Sequence, residues 1–301
     1  MENSFQIADE IRDALKDRKP VVALESSVIA HGLPYPRNRE VAVLLQSVIR
    51  DAGAVPATIA VLDGVIRVGL DYPEIERLAS GSQIAKLATR DLPLAIVDRM
   101  TGGTTVSATA WIASRAGIEV FVTGGIGGVH SGAGKTMDVS SDLWELARTS
   151  IIVVSAGAKA IVDLRATLEW LESHQVGVYG YRTAEFPAFY SRHSGLEVDM
   201  LEGPKAVASV YVMRRRLGLP GSMVIGVPPP DEYDLDVSEE VHTALEKAEA
   251  VGIKGKALTP WLLACIAELT DGRSVQTNVA ILKNNALVGA EVASALVRLR
   301  S

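Results

Sequence analysis

Glu25 follows directly on an apolar run, Val21-Val22-Ala23-Leu24, and is followed by two serines and, at position 31, a histidine. A carboxylate at the end of a buried strand either caps backbone or moves a proton. Lys159 stands in a comparable place. Ile151–Val154 reads as a second buried strand, Ser155-Ala156-Gly157 as a turn, and Ala160 onward as a helix with leucine and tryptophan at helical spacing. A lysine at such a junction faces the positive end of the helix dipole, a position that favours anions. Small neighbours, Ala156, Gly157, Ala158 and Ala160, leave space around its stem. The chemistry open to it is nucleophilic, provided the amine is neutral; the alternative is a solvated lysine with no role. Neutralising an ordinary lysine at pH 7 takes about 4 kcal/mol. A helix N-terminus contributes about 0.3–1 kcal/mol of that at an exposed site. Desolvation or a second cation has to supply the rest, and Lys86 is a candidate for that cation.

Asp142, with Glu145 three residues on, reads as a helix N-cap with its capping-box acid. Asp138 is not needed for that cap. It lies near His130 and a glycine-rich turn, where an oxygen-liganded divalent cation such as Mg²⁺ or Mn²⁺ can bind. The turn itself, Thr123–Gly128, follows an apolar strand, and its backbone amides can approach an anion closely. The alternative is a tight turn with no ligand. Lys86, Arg90 and His130 are further candidates for anion recognition. Two phosphate-loop motifs fail at required positions. "GGVHSGAGKT" carries Val129 where the P-loop needs glycine, and a dinucleotide fingerprint read from Gly125 meets His130 at its third glycine.

The elements that must position these residues alternate between short β-branched runs and helical patterns, which predicts an α/β fold with three α/β/α layers around a central, mostly parallel mixed sheet. Strands are predicted at Val21–Leu24, Thr58–Leu62, Val65–Val68, Leu94–Val97, Glu119–Thr123, Ile151–Ser155, Gly177–Tyr181 and Met223–Val227. Helices are predicted at Arg37–Ala52, Thr105–Ala116, Asp142–Ala147, Ala160–Ser173, Glu239–Val251, Pro260–Thr270 and Val275–Leu299. With no repeat, low-complexity tract or linker, residues 1–301 read as one catalytic domain.

Of the 301 residues, 48% are hydrophobic and 22% charged, the balance of a globular enzyme, and a net charge of −6 gives no basic footprint for a nucleic-acid polymer. Cys265 is the only cysteine, so no intrachain disulfide or cysteine-rich zinc site can form, and a cytoplasmic setting fits. No signal-peptide core and no long uncharged apolar window is visible, so no membrane partner is expected.

The segments "ALESSVIAHGLPYPRN", "KLATRDLP", "GGTTVSAT", "FVTGGIGGVH", "DVSSDL", "SAGAKAIVDL", "GYRTAEFPAF" and "TNVAILKNNALVGAEVA" resemble the motif series of the pseudouridine-5'-phosphate glycosidases, a family that includes the indigoidine synthase A-like proteins. The resemblance runs in order from about residue 20 to residue 295. It implies reversible cleavage of the C–C glycosidic bond of pseudouridine 5'-phosphate to uracil and ribose 5-phosphate, with a divalent metal, Mn²⁺ foremost. Carried onto this sequence, it implies Lys159 as covalent nucleophile and Glu25 as proton donor. Lys86 and Val106 would line the substrate site, and Asp138 would hold the metal. Ser140, Ser141 and Asp142 would contact substrate or metal-bound water, with His130 and Asn285 as further substrate contacts; Asn284 and Asn285 are not distinguished. A homotrimer is also implied. The competing functions are an indigoidine-type C-glycosidase, a phosphotransferase using "GAGKT", and a binding protein that keeps the scaffold without turnover.

Overall fold

The computed structural model describes residues 4–253, 255 and 258–300. In chain order the strands are β1 (Phe5–Ile7), β2 (Val21–Leu24), β3 (Val55–Leu62), β4 (Val65–Val68), β5 (Ala85–Leu87), β6 (Gly102–Thr104), β7 (Val120–Val122), β8 (Val129–His130), β9 (Ile152–Ser155), β10 (Val162–Asp163), β11 (Gly177–Tyr181), β12 (Asp199–Leu201) and β13 (Met223–Gly226). The α-helices are α1 (Asp9–Lys16), α2 (Ser27–His31), α3 (Arg37–Asp51), α4 (Tyr72–Ser80), α5 (Leu92–Val97), α6 (Val106–Ala116), α7 (Ala133–Thr136), α8 (Ser141–Arg148), α9 (Leu164–Ser173), α10 (Pro204–Arg216), α11 (Ser238–Ala250), α12 (Leu258–Leu269) and α13 (Arg273–Arg298).

The central sheet runs β1-β4-β3-β2-β7-β9-β13-β11-β12, with β6 joining β3 and β5 joining β6. From β3 through β2, β7, β9, β13 and β11 to β12 every pairing is parallel, while β4 and β6 pair antiparallel with β3. The central strands are apolar throughout because both of their faces are covered. Val22 and Leu24 pack with Val41, Leu45 and Ile49 of α3 and with Leu282 and Val292 of α13. Val21 and Ala23, pointing the other way, pack with Ile11 of α1 and Ile112 of α6. Helix α13, long and apolar enough by length and composition alone to cross a membrane, lies on β2, β7 and β9 in this core. It sits so close that a Cβ on Gly289 would meet Val122 Cγ2 at 2.3 Å. A separate apolar cluster joins Phe189 and Tyr190 to Leu262, Ile266 and Ile281, packing α12 and α13 against the 186–190 segment.

The expected three-layer α/β/α arrangement is thus present, and the predicted strand positions match observed strands except at Leu94–Val97. That segment is the end of helix α5, which carries Pro93 in its first turn. Leu92 and Ala95 point inward while Leu94 and Val97 are exposed, a helical and not an alternating pattern. A four-residue apolar run does not distinguish the two states. The helix expected from Ala160 begins only at Leu164, because Val162 and Asp163 pair antiparallel with β8. The Asp163 side chain then caps α9 by accepting from Ala166 N at 2.9 Å. Lys159 therefore stands on a loop, five residues before the first helical residue, and the dipole argument for its placement fails because that effect fades within one turn.

Candidate active site

Strand register brings the chemistry together. Leu24 of β2 is opposite Val122 of β7, and Val122 is opposite Val154 of β9. The residues just beyond, Glu25, Thr123 and the turn leading to Lys159, therefore emerge side by side at the carboxyl edge of the sheet, where parallel α/β proteins place their ligands. Glu25 is 7% exposed. Thr123 Oγ1 donates to Glu25 Oε1, and Ser27 Oγ, in the first turn of α2, donates to Oε2. The carboxylate is thus held from both sides.

The loop carrying Lys159 is tied to the glycine turn by main-chain bonds. Ala156 N donates to Gly124 O at 2.9 Å, Ile126 N to Gly157 O at 3.1 Å, and Lys159 N to Ile126 O at 2.9 Å. Gly157 takes a φ of +82°, and a Cβ there would lie 2.0 Å from Pro187 O. Only glycine satisfies both conditions.

Asp142 is not the cap that its spacing suggests. Ser140 is the N-cap of α8, accepting from Asp142 N at 3.2 Å. Asp142, 5% exposed, accepts from Ser107 N at 2.9 Å and from Gly127 N at 3.0 Å, tying the start of α6 to the glycine turn. Glu145, the supposed capping acid, is buried and pairs with Arg148 and Thr149. The expectation that the Thr123–Gly128 amides form an anion cradle also meets occupied donors. Thr123 N bonds Val154 O, Ile126 N bonds Gly157 O and Gly127 N bonds Asp142.

The site is a cleft with two lobes that share Lys86, Lys159 and Thr259. One lobe is lined by Glu25, Ser27, His31, Thr123, Phe189 and Asn278. The other is lined by Arg90, His130, Asp138, Ser140, Ser141 and Asp142. Burial lowers the pKa of His130, helped by the charges of Lys159 and Lys86 and opposed by Asp138. His31 is likewise lowered, by burial first and then by Lys86, against a hydrogen bond to the Ala85 backbone. Both imidazoles therefore favour the neutral form.

Glu25, Lys159, Lys86, His130, Asp138, Ser140, Ser141 and Asp142 thus all line one cleft. Two positions taken from the resemblance do not. Val106 is fully buried in the core at the start of α6. Asn285, also fully buried, donates from Nδ2 to Thr123 O at 2.9 Å and so stands behind the wall. Asn284 bonds Pro228 O and faces a different groove. The asparagine that does line the cleft is Asn278, one helical stretch earlier in the same "TNVAILKNN" segment. Thr259 and Phe189 were also missed, and nothing in their local sequence marks them.

Among the described residues no three His, Cys, Asp or Glu side chains gather as a metal-binding group. Asp138 is exposed, beside His130, whose N–H bonds the Asp138 carbonyl at 3.0 Å. One carboxylate with hydroxyls nearby suits a cation such as Mg²⁺, which keeps several waters and needs one or two carboxylates plus substrate oxygens. It does not suit an all-protein cage.

Parallel strands ending in a clamped carboxylate, two lysines and a polar lobe define an α/β enzyme with its site at the sheet's carboxyl edge. The chain belongs to the indigoidine synthase A-like family, whose model, "Indigoidine synthase A like protein", matches residues 10–295. It is 49% identical over 303 residues to a pseudouridine-5'-phosphate glycosidase of Caldanaerobacter subterraneus, covering 99% of each chain. It is 52% identical to one of Chloroflexus aurantiacus, covering 96% of this chain and 97% of that one. Among solved structures, the prealnumycin C-glycosynthase AlnA in complex with ribulose 5-phosphate superposes with a TM-score of 0.91 at 38% identity, covering 98% of both chains. An indigoidine synthase A-like protein from Thermotoga maritima gives 0.91 at 36% identity, over 99% of this chain and 98% of that one.

Proposed function

We propose that this chain is a pseudouridine-5'-phosphate glycosidase, cleaving the C–C glycosidic bond reversibly to uracil and ribose 5-phosphate through an imine between Lys159 and the ring-opened sugar. The observation that carries the reading is the cleft itself, in which Lys159 and Glu25 line one lobe and Lys159 and Lys86 continue into a second, phosphate-compatible one. The names of the relatives and the sugar phosphate in the AlnA complex support the same substrate class.

An ordinary glycosidase protonates a leaving oxygen with one carboxyl group and places a second opposite it. A C-nucleoside has no such oxygen at the broken bond, so the electrons need a sink at the first carbon of the sugar, which a lysine imine provides. Glu25 protonates the ring oxygen as the sugar opens, and Lys159 adds to the exposed carbon. Lys86, Arg90 and His130 receive the 5'-phosphate. Asp138 holds a divalent cation, Mn²⁺ in this reading, which when bound supplies positive charge to sugar-phosphate oxygens. The near-miss P-loop supports no phosphotransferase. Gly134-Lys135-Thr136 falls in the four-residue helix α7, and the strand before it, β8, lies outside the main sheet.

The assembly in this reading is a homotrimer, for which the exposed Leu44 and Leu287 of the α3–α13 groove offer an apolar face; light scattering on the eluting protein measures the mass. Borohydride reduction in the presence of ribose 5-phosphate tests the chemistry. A stable adduct mapped to Lys159, and absent from Lys159→Ala, is expected; an unmodified Lys159 under turnover conditions rules the mechanism out.

A further inference from the structure

His31 ends α2 and lines the same lobe as Glu25 and Lys159. Its Nε2 is buried and has no hydrogen-bond partner, while the ring bonds the Ala85 backbone. With its lone pair on Nε2, a neutral imidazole acts as a base through that nitrogen. A buried polar atom without a partner, on a residue that lines a cleft, is costly unless a ligand or reacting group completes it. Lys86 is the charged neighbour on β5, Glu25 and Lys159 are the ionisable groups of the lobe, and the α3 and α4 residues packed with Ile29 of α2 are Ala42, Ile75, Leu78 and Ala79.

Glu25 has both carboxylate oxygens already taken by hydroxyl donors, and its proposed proton goes to the ring oxygen. The reaction needs a second transfer, to the carbon of the departing base. The geometry points to His31 Nε2 as the group that makes it, a second acid–base residue of this site; the inference rests on the imine reading above.

The proton and electron count closes. Protonation by Glu25 opens the ring and leaves C1′ electron-poor, and Lys159 Nζ adds to it and becomes positively charged. Nε2 takes a proton from that nitrogen and delivers it to C5 of the base. The nitrogen lone pair then forms the C=N bond as C1′–C5 breaks, and the electron pair of that bond stays with the base. Water hydrolyses the imine, and the proton released returns to Glu25.

Two variants test this in the full-length protein with Mn²⁺ present. His31→Asn keeps a donor for the Ala85 carbonyl and removes Nε2; His31→Ala opens a space for free imidazole. Both are expected to lose about 10²–10⁴-fold in kcat for pseudouridine 5'-phosphate cleavage, the range of one general acid–base group. KM should hold within threefold, borohydride should still trap ribose 5-phosphate on Lys159, and imidazole should restore turnover to His31→Ala. Turnover within threefold of wild type in His31→Asn, or a lost rate in His31→Ala that imidazole leaves unchanged, overturns the proposal. Wild-type protein that forms no adduct sinks the imine reading instead, whereas a wild-type adduct with unimpaired variants sinks only the role of His31.

Discussion

Thr123 Oγ1 donates a hydrogen bond to Glu25 Oε1, joining the end of β7 to the end of β2. The same Thr123 is held from behind by Asn285, whose amide bonds its carbonyl at 2.9 Å. A residue of α13 outside the cleft thereby sets the position of a carboxylate inside it.

Removing the hydroxyl with Thr123→Val leaves the shape and deletes one donor to Glu25. Hydrogen bonds to charged groups are worth about 1.5–3 kcal/mol. Steady-state assays should show kcat falling roughly 10- to 150-fold by the same conversion, with KM little changed. Asn285→Ala, which orphans the buried Thr123 carbonyl, should lower the thermal midpoint, by about 1–3 kcal/mol of stability. Calorimetry showing a midpoint unchanged in Asn285→Ala would contradict the anchoring role.

Gly157→Ala places a methyl 2.0 Å from the Pro187 carbonyl at a φ of +82°. The lysine turn has to shift, so Lys159 should stop forming the reducible sugar adduct and the protein should lose stability. Gly117→Ala is the control, with a φ of +85° and nothing within 4 Å of the new atom. It should cost only the left-handed backbone term, about 1–2 kcal/mol, and keep the adduct.

His31 and His130 both have pKa values lowered in the folded protein, by burial first. The unfolded chain then binds more protons than the folded one as pH falls through the ordinary histidine value of about 6.5. Stability should therefore be full above that value, decline as pH falls through it, and level off below the folded-state values as far as these groups are concerned. Denaturant midpoints from pH 7.5 to 5.5 should slope downward, and less steeply in His31→Asn. An identical slope in that variant would count against a buried neutral His31.

Asp138→Asn should raise the Mn²⁺ concentration needed for half-maximal activity at least tenfold. It should leave the melting temperature without metal unchanged within about a degree, because the side chain is exposed and surface changes are near neutral. A metal response identical to wild type would remove Asp138 from the proposed cation site.

The central strands were legible because burial on both faces leaves an unbroken apolar run, as in Val21–Leu24 and Ile152–Ser155. Glu25 stood out because a charged residue directly after such a run is unusual, and Lys159 because it follows the next strand's turn among small neighbours. The failures were at short range. Leu94–Val97 offered too few residues to set a period, and the late start of α9 depends on a two-residue pairing with β8 that no local pattern reveals. Asp142 looked like a cap because local spacing cannot show that Ser107 and Gly127 compete for its carboxylate. Asn278, Thr259 and Phe189 reach the cleft from distant elements, so only the folded chain gathers them.

Lys159 sits on a loop fastened to the glycine turn through main-chain bonds, whereas the other walls of its lobe come from separate pieces of chain, at Phe189, Thr259 and Asn278. Of the three, Phe189 is bonded to that loop, its N–H donating to Ala156 O at 2.9 Å, while Thr259 and Asn278 stand on α12 and α13. If the imine reading holds, redesign toward a bulkier or differently substituted aglycone belongs at Thr259 and Asn278, and libraries confined to those two positions should keep the borohydride-trapped adduct while changing which ring is released.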